Sequence, residues 1–212
     1  KVQEIKQFFQ KILDNSIHRF ATLVKTTNVV GDNVSQSKNC YFAFDIEGGV
    51  EDSKFLNWGG YNMKDSYDVM GSGDGSELMY DTFDAVKNSR ILFSSVVYDS
   101  HDIQYSYNCH GSNNLFGCIG LRNKSYCILN KQYTKEEYET LVPRIIAHMN
   151  SMPYIDKKGR VYKYGEFFPP ELSPFAYNET IAQEYFPLTK EQALEQGYTW
   201  KDPEPRNYQI TL

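Results

Sequence analysis

Several features that would reveal a function are scarce or missing in this chain of 212 residues. Its four cysteines are few for a disulfide scaffold, and no Cys-x-x-Cys pair is present. The sequence also has no serine-hydrolase elbow, no phosphate loop, no dinucleotide glycine motif and no zinc-protease helix motif. Motifs therefore give no support to an enzyme, and we favour a non-catalytic protein.

Long apolar runs and basic clusters are missing as well. No run reaches the roughly 18 residues of a membrane-spanning helix, and no signal-like segment opens the chain. We therefore expect no membrane span and slightly favour the cytoplasm. The net charge is −5, and no series of Lys or Arg alternates with the aromatic residues. Because an acidic surface repels phosphates, we expect no nucleic-acid partner.

Aromatic residues are abundant and apolar residues are frequent enough for a folded core. Hydrophobic residues make up 41% and charged residues 23% of the chain, which is typical of a globular protein and not of a disordered one. The 17 Tyr and 13 Phe suit half-buried strand faces, where a ring packs on its neighbours and a hydroxyl reaches water. The composition therefore favours β-structure.

A short phrase recurs about once per dozen residues between Asn39 and Ser125: a polar residue, a small residue, then two or three aromatic or aliphatic ones. Its copies begin at Asn39, Asp52, Asp65, Ser76, Asn88, Asp102, Asn114 and Lys124. Such a unit is too short for helical repeats or propeller blades, which need about 33 to 50 residues. It fits one strand and a corner, with Asn and Asp providing the tight backbone.

We predict a mainly β fold, namely a β-solenoid of short half-coils of about 12 residues. Two such half-coils would make one flattened coil. A conventional antiparallel β-sandwich is the alternative, because it also has regularly spaced strands. The predicted segments are an N-terminal helical cap, the solenoid, and a C-terminal helix with an irregular tail rich in aromatic residues and proline that wraps the solenoid. Their bounds are 1–27, 28–133 and 134–212.

The predicted cap is a helix over residues 1–26 with one apolar stripe running from Ile5 to Val24. As an alternative, Asp14-Asn15-Ser16 ends a first helix and caps a second one. Solenoid ends need a cover because a terminal coil exposes unpaired strand edges. Binding to a membrane surface is the alternative role, although a dense basic face is missing.

After the repeats, the capping boxes at Thr134 and Thr189 each predict a helix start, and Pro143 predicts a kink or a new start.

Two sets of residues could bind metal. Cys109, Cys118 and Cys127 are nine residues apart, with His110 and His101 nearby, and thiolates and imidazoles are zinc ligands. Zinc sites usually present ligands two to four residues apart, so burial of these cysteines as small apolar groups is favoured. The second set is an acidic stretch around Gly71 to Gly75 that could bind calcium, although a solvated bulge is favoured. Its acids are Asp65, Asp68, Asp74, Glu77, Asp81 and Asp84.

A third set could catalyse hydrolysis or elimination in a β-helix groove. Its members are Asp99, His101, Asp102, His110 and Arg122. Asp99 and His101 are two residues apart and could share one strand face.

Two stretches resemble a known group of proteins as wholes. One runs from Leu121-Arg122-Asn123-Lys124-Ser125 through Tyr138, and the other from Gly165-Glu166-Phe167-Phe168-Pro169-Pro170 through Thr189. With the Asn-Cys and Asp-Ser repeats, they resemble uncharacterised cysteine-rich repeat proteins from metagenomes of small-genome bacteria, in which zinc ribbons flank a repeat region. The resemblance implies a repeat core with its tail, cut from a longer polypeptide. Because this chain has no ribbon, it implies no zinc or nucleic-acid role.

Together these observations predict a binding or scaffold module, without a cofactor, whose flat solenoid faces recognise a protein or a glycan through Tyr, Asn and Asp side chains. Two alternatives stay open. The first is a β-helical carbohydrate-active enzyme using Asp99, His101 or Asp102, and the second is a metal-dependent module using Cys109, Cys118 and Cys127.

Overall fold

Parallel strands stacked in chain order form most of the molecule between Leu23 and Phe116. The computed structural model describes residues 1–203 and divides into two compact units, Lys1–Ser125 and Tyr126–Leu212. It shows a parallel β-solenoid of about nine coils, an N-terminal helix and helices near the C-terminus. The predicted β-solenoid class is therefore confirmed, and the antiparallel sandwich is not observed among the described residues.

The first unit contains one helix followed by the stacked strands. They are α1 (Val2–Asp14), β1 (Leu23–Val24), β2 (Thr27–Ser35), β3 (Lys38–Glu47), β4 (Glu51–Gly60), β5 (Tyr67–Gly73), β6 (Glu77–Val86), β7 (Ser89–Tyr98), β8 (His101–Gln104), β9 (Tyr107–His110) and β10 (Asn113–Phe116). Each strand from β1 to β7 pairs in parallel with the next, β7 then pairs with both β8 and β9, and β10 pairs with β8.

Each repeat forms one complete coil, so the predicted half-coil is wrong. Lys38 pairs with Glu51, and Ser89 pairs with His101, in each case the residue one repeat further along the chain. Since a residue meets its counterpart after one repeat, the chain goes once around the solenoid in that distance. The half-coil prediction assumed a strand of about five residues on each of two sides, whereas the chain turns much more often.

The chain turns at almost every third residue, because left-handed backbone recurs with that period. In the coil that starts at Lys38, the residues with φ near +55° are Asn39, Phe42 and Asp45, and Gly48 and Gly49 form the fourth corner. The residue after each corner is buried and the next one faces outwards. The buried residues of this coil are Cys40, Ala43, Ile46 and Val50. In the shorter coils the four corners follow one another every three residues. The coil that starts at Lys38 is one residue longer, because its fourth corner contains a second glycine.

Buried serines connect the coils where the corners interrupt the strand ladder. The Ser106 hydroxyl donates to the carbonyl oxygen of Gln104 at 2.9 Å and accepts from the N–H of Cys118, one coil later, at 3.0 Å. The N–H of Ser106 in turn donates to the hydroxyl of Ser94 at 3.0 Å. Most interior serines bond both their own coil and the next in this way, which explains why so many serines are buried.

Replacing Ser106 with alanine is expected to lower the free energy of unfolding by about 1–3 kcal/mol, because it leaves the buried N–H of Cys118 without its partner. The change would be measured by urea denaturation followed by circular dichroism. Ser95→Ala, which alters an outward-facing serine of the same solenoid, should change stability by less than about 0.5 kcal/mol. Equal midpoints for the two variants would contradict the bridging role.

An aromatic ladder runs along one corner of the solenoid, with neighbouring ring centroids 4.7–5.7 Å apart. Rings at this spacing attract one another, and each pair contributes about 0.5–1.5 kcal/mol. The first four rings are half-exposed, whereas the last three are buried. The ladder consists of Phe42, Phe55, Tyr67, Tyr80, Phe93, Tyr105 and Phe116.

The predicted N-terminal helix is present and covers the first half of the range 1–26. It ends at Asp14, where the side chains of Asn15 and Ser16 bond the last carbonyl groups of the helix, and Val24 lies in a strand instead. None of its residues, all of which are described, is buried. The capping role of this helix therefore stays a prediction.

The second unit combines short strands and helices. It starts with the antiparallel pair β11 (Ser125–Ile128) and β12 (Lys131–Gln132), followed by α2 (Lys135–Ser151) and the hairpin of β13 (Tyr154–Ile155) and β14 (Val161–Tyr162). Two 3₁₀ turns (Pro170–Leu172 and Tyr177–Glu179), α3 (Ala182–Tyr185) and α4 (Lys190–Glu195) follow.

Both predicted capping boxes are confirmed. Thr134 and Glu137 cap α2, and Thr189 and Gln192 cap α4. Pro143 lies inside α2, which continues through it as one helix to Ser151. The end of the predicted irregular tail lies outside the described residues. In the part of the chain that the structure describes, no helix is long and apolar enough to cross a membrane.

Candidate ligand-binding groove

A groove of about 720 Å³ lies on one side of the first unit, and its lining residues come from the six successive strands β1 to β6 and residues next to them. Among them are Gly59, Gly71 and Gly73. The outward-facing column that contains Glu47 carries glycine in two successive coils beside the groove. In this column Glu47 pairs with Gly60, Gly60 with Gly73, and Gly73 with Val86. We call the groove, with the residues that line it, the glycine groove.

The glycines of this column are required by the close approach of the coils. A Cβ atom on Gly60, where φ is +130°, would lie 1.8 Å from the carbonyl oxygen of Glu47. A Cβ atom on Gly73 would lie 1.8 Å from the carbonyl oxygen of Gly60. No side chain fits at such distances, so the groove depth is built into the backbone.

Two exposed aromatic rings line the groove, and each lies against a glycine of a neighbouring coil. The Trp58 ring passes 3.3 Å from the Cβ position of Gly71, and the Tyr61 ring passes 3.7 Å from that of Gly48. In both pairs the ring and the glycine are separated by one coil of the chain. Trp58 is 66% exposed and Tyr61 is 56% exposed, so their outer faces are open to a ligand. Backing by glycine keeps the rings flat on the surface.

Carboxylates supply the hydrogen-bond acceptors of the glycine groove. Glu47 accepts a 2.5 Å bond from the Tyr61 hydroxyl, which raises the pKa of that tyrosine. Asp45 accepts from Asn33 at 2.6 Å, and Asp74 forms an ion pair with Lys87 at 3.4 Å. A carboxylate accepts several hydrogen bonds, so these three acids can also accept from a ligand. None of the described residues lining the groove is Lys or Arg.

The groove ends where large side chains resume in the same outward-facing column. After Val86 comes Tyr98, whose hydroxyl donates to Asp84 at 2.5 Å. This hydrogen bond, together with partial burial, raises the pKa of Tyr98 to about 12, so the hydroxyl stays protonated and the ring stays anchored. His110 follows, with its ring 4.5 Å from that of Tyr98. The glycine groove is therefore a local gap in an otherwise filled column.

The cysteines do not form a metal site. Cys109 and Cys118 are buried beneath different sides of the coil, because a spacing of nine residues is three corners and not a full turn. Burial raises the pKa of Cys109, which keeps it a thiol. Cys127 belongs to the second unit and is also buried. Within residues 1–203, no three His, Cys, Asp or Glu side chains are grouped to hold a metal ion.

The cysteine thiols take the position of the interior serines. Cys40, Cys109 and Cys118 each donate to the carbonyl oxygen two residues earlier, at 3.3–3.5 Å. This is the bond that buried serines make, so the packing interpretation accounts for these three residues.

The acidic stretch does not form a solvated bulge, and that prediction is wrong. Gly71 and Gly73 lie within β5, and Asp74 and Gly75 form the following corner. Because each corner points in a different direction, the acids spread over several sides of the solenoid. Among the described residues no metal-binding group includes them.

The candidate catalytic residues also occupy several sides. Asp102 is held by Arg90 through two bonds of 2.5 and 2.6 Å and by His101 at 2.8 Å, and the Arg90 bonds lower the pKa of Asp102. Asp99 is a corner residue, and buried Ser100 separates it from His101. Asp99 and His101 therefore do not share a strand face as residues two apart in a straight strand would, because the chain bends between them.

His110 and Arg122 lie in the outward-facing column that contains Tyr98, where they pair as an isolated bridge. Burial, and then the charge of Arg122, lower the pKa of His110. The side chain of Arg122 bonds Asn108. Catalysis by this set stays a prediction, and three of its members, Asp102, His110 and Arg122, contact neighbouring coils.

Sequence reasoning missed the glycine groove, although a signal for it exists. Gly60 and Gly73 are separated by one repeat, and so are Trp58 and Gly71. Once the coil length is known, these offsets place a ring on a glycine and leave two neighbouring positions without side chains.

No family model, curated protein or solved structure matches the chain, so its resemblance to the metagenomic repeat proteins stays a prediction.

Proposed function

We propose that the first unit is a non-catalytic recognition module that binds a glycan in the glycine groove. The observation that carries the proposal is the pair of exposed rings, Trp58 and Tyr61, that line the groove together with glycines. A sugar presents apolar C–H faces and a rim of hydroxyl groups. Aromatic rings pack against the apolar C–H faces of the sugar, and carboxylates accept hydrogen bonds from its hydroxyl groups.

The negative charge of the groove limits which glycans can bind there. Asp45, Glu47 and Asp74 line the groove, and none of the described lining residues is Lys or Arg. Lys87, which is not a lining residue, pairs with Asp74. Sulfated sugars and uronic acids would place their negative charge next to these carboxylates, which costs free energy. We therefore expect neutral or cationic sugars to bind and acidic ones to be rejected.

Replacing Trp58 with alanine is expected to weaken binding at least about tenfold, because truncating an aromatic anchor costs about 1.4 kcal/mol or more. A glycan array on the intact chain would identify the ligand, and titration calorimetry would then compare the variants. A Trp200→Phe background leaves Trp58 as the single tryptophan, so its fluorescence reports binding directly.

Tyr107→Ala is the matched control, because Tyr107 is an equally exposed ring of the same solenoid outside the groove. It should bind like the unchanged protein. Binding that survives Trp58→Ala, or an array without any ligand, would refute the proposal. Mass spectrometry of the recovered glycan should show no cleavage, since turnover would identify an enzyme instead.

A further inference from the structure

Helix α1 presents a row of apolar side chains that nothing in the described structure covers. Val2, Ile5, Phe8, Phe9 and Ile12 are between 48% and 71% exposed. At 3.6 residues per turn, four of them lie within one face of the helix and Phe8 lies at its edge. Contiguous exposed apolar surface of this kind marks a site that binds a partner or a membrane.

The segment after the helix extends this surface. Ile17 and Phe20 are about fully exposed, so two further large apolar side chains lie beside the helix without a covering contact in the described structure. An isolated exposed apolar residue is ordinary, but seven such residues within so short a segment are not.

The same segment carries net positive charge, unlike the rest of the chain. Residues 1–20 contain the basic residues Lys1, Lys6, Lys11 and Arg19 and only the acids Glu4 and Asp14, whereas the whole chain carries −5. Lys6, Lys11 and the glutamines occupy the polar side of the helix, opposite or beside the apolar face, together with Glu4 and Asp14. An apolar face bordered by basic residues complements a negatively charged lipid surface.

A second copy of the chain fits the apolar face of α1 less well than a lipid bilayer does. A helix of 13 residues is about 20 Å long and about 10 Å wide, which gives a contact face of a few hundred Å². Stable protein dimers bury at least about 1,200 Å² in total. Binding to a bilayer does not require such a contact area, because each apolar side chain that enters the membrane interface contributes its own free energy of transfer.

We propose that α1 binds the surface of an anionic lipid bilayer, with its axis parallel to the membrane and its apolar face in the headgroup region. Phe8, Phe9 and Ile5 enter the boundary between headgroups and acyl chains. Lys6 and Lys11 remain at the level of the headgroups, where anionic lipids attract them. The helix thus tethers the solenoid reversibly to a membrane without crossing it.

Vesicle sedimentation tests this inference with the full chain. Vesicles of phosphatidylcholine with about one third phosphatidylglycerol should bind the protein, and pure phosphatidylcholine vesicles should bind it much less. The double variant Phe8→Ser/Phe9→Ser should reduce the partition coefficient at least about tenfold, because it removes the two largest apolar groups. Lys6→Gln/Lys11→Gln should reduce binding to the anionic vesicles selectively.

Gln7→Ser/Gln10→Ser is the matched control on the polar side of the helix, and it should partition like the unchanged protein. Because no residue of α1 is buried, all three variants should keep the circular dichroism of the solenoid. Light scattering after size exclusion measures self-association in parallel. Binding that survives the phenylalanine changes, a dimer that these changes dissociate, or no binding to anionic vesicles would each overturn the proposal.

Discussion

Replacing Gly60 with alanine should lower the free energy of unfolding of the first unit by more than about 4 kcal/mol, or prevent folding altogether. The added Cβ atom would lie 1.8 Å from the carbonyl oxygen of Glu47 on the preceding coil. Moving the coils apart is not a remedy, because the N–H of Tyr61 donates to that same oxygen at 2.7 Å. The backbone angle φ of +130° also excludes side chains.

Urea denaturation followed by circular dichroism would measure this effect, and Gly75→Ala provides its control. Gly75 also has positive φ, at +80°, but no described atom lies within 4 Å of its Cβ position. Alanine there bears only the cost of left-handed backbone, about 1–2 kcal/mol. If Gly60→Ala were no more destabilising than Gly75→Ala, the close approach of the coils beside the groove would be disproved.

Replacing Ile103 with alanine is expected to lower the free energy of unfolding by about 2–5 kcal/mol, since the change leaves a cavity in a narrow core. Ile103 is fully buried and stacks between Ile91 and Leu115 on the adjacent coils. The interior of a four-cornered coil is filled by one side chain from each side. No other side chain can move into the space, so the cavity should remain open.

Ile119→Ala is the matched control, because this isoleucine is 63% exposed on the outside of the solenoid. It should change the unfolding midpoint by the equivalent of less than about 0.5 kcal/mol. A similar loss in both variants would show that Ile103 does not stack in the core as described.

The prediction of the fold from sequence worked where one corner in each coil carries a clear signature. Asn39, Asp52 and Asp65 have left-handed backbone and are followed by small buried residues, as the repeated phrase predicts. Cys40, Ser53 and Ser66 stack on one another in adjacent coils, which is the arrangement that the repeat requires. Some of the other corners also carry Asp or Asn, such as Asp45 and Asp68, but bulky residues occupy others, and those corners have no such signature.

Those other corners explain why the coil length could not be predicted. Phe42, Trp58 and Val96 all have φ near +55°, a region that bulky and β-branched residues avoid on their own. They adopt it because the hydrogen bonds to both neighbouring coils leave no alternative. The sequence pattern therefore predicts straight strands and a coil of twice the true size.

The candidate site was unpredictable for a related reason. The cysteines, histidines and acids attracted attention because their chemistry is distinctive, but the coil directs Cys109 and Cys118 inwards under different sides. The glycine groove consists instead of residues that lack side chains and of rings that lie on them. Its recognition requires the register, which brings Trp58 onto Gly71.

The sequence by itself determined that this protein is a stacked β-structure. It has a corner residue and a small interior residue in each repeat, and all eight prolines lie at or after position 143, outside the coils whose N–H groups must bond a neighbour. Only the tertiary structure decided that one repeat closes one coil, that Gly59, Gly71 and Gly73 line one groove, and that no residue of α1 is buried. These three properties depend on which residues meet after a full turn, and that distance is set by the hydrogen bonds between coils and not by any local preference.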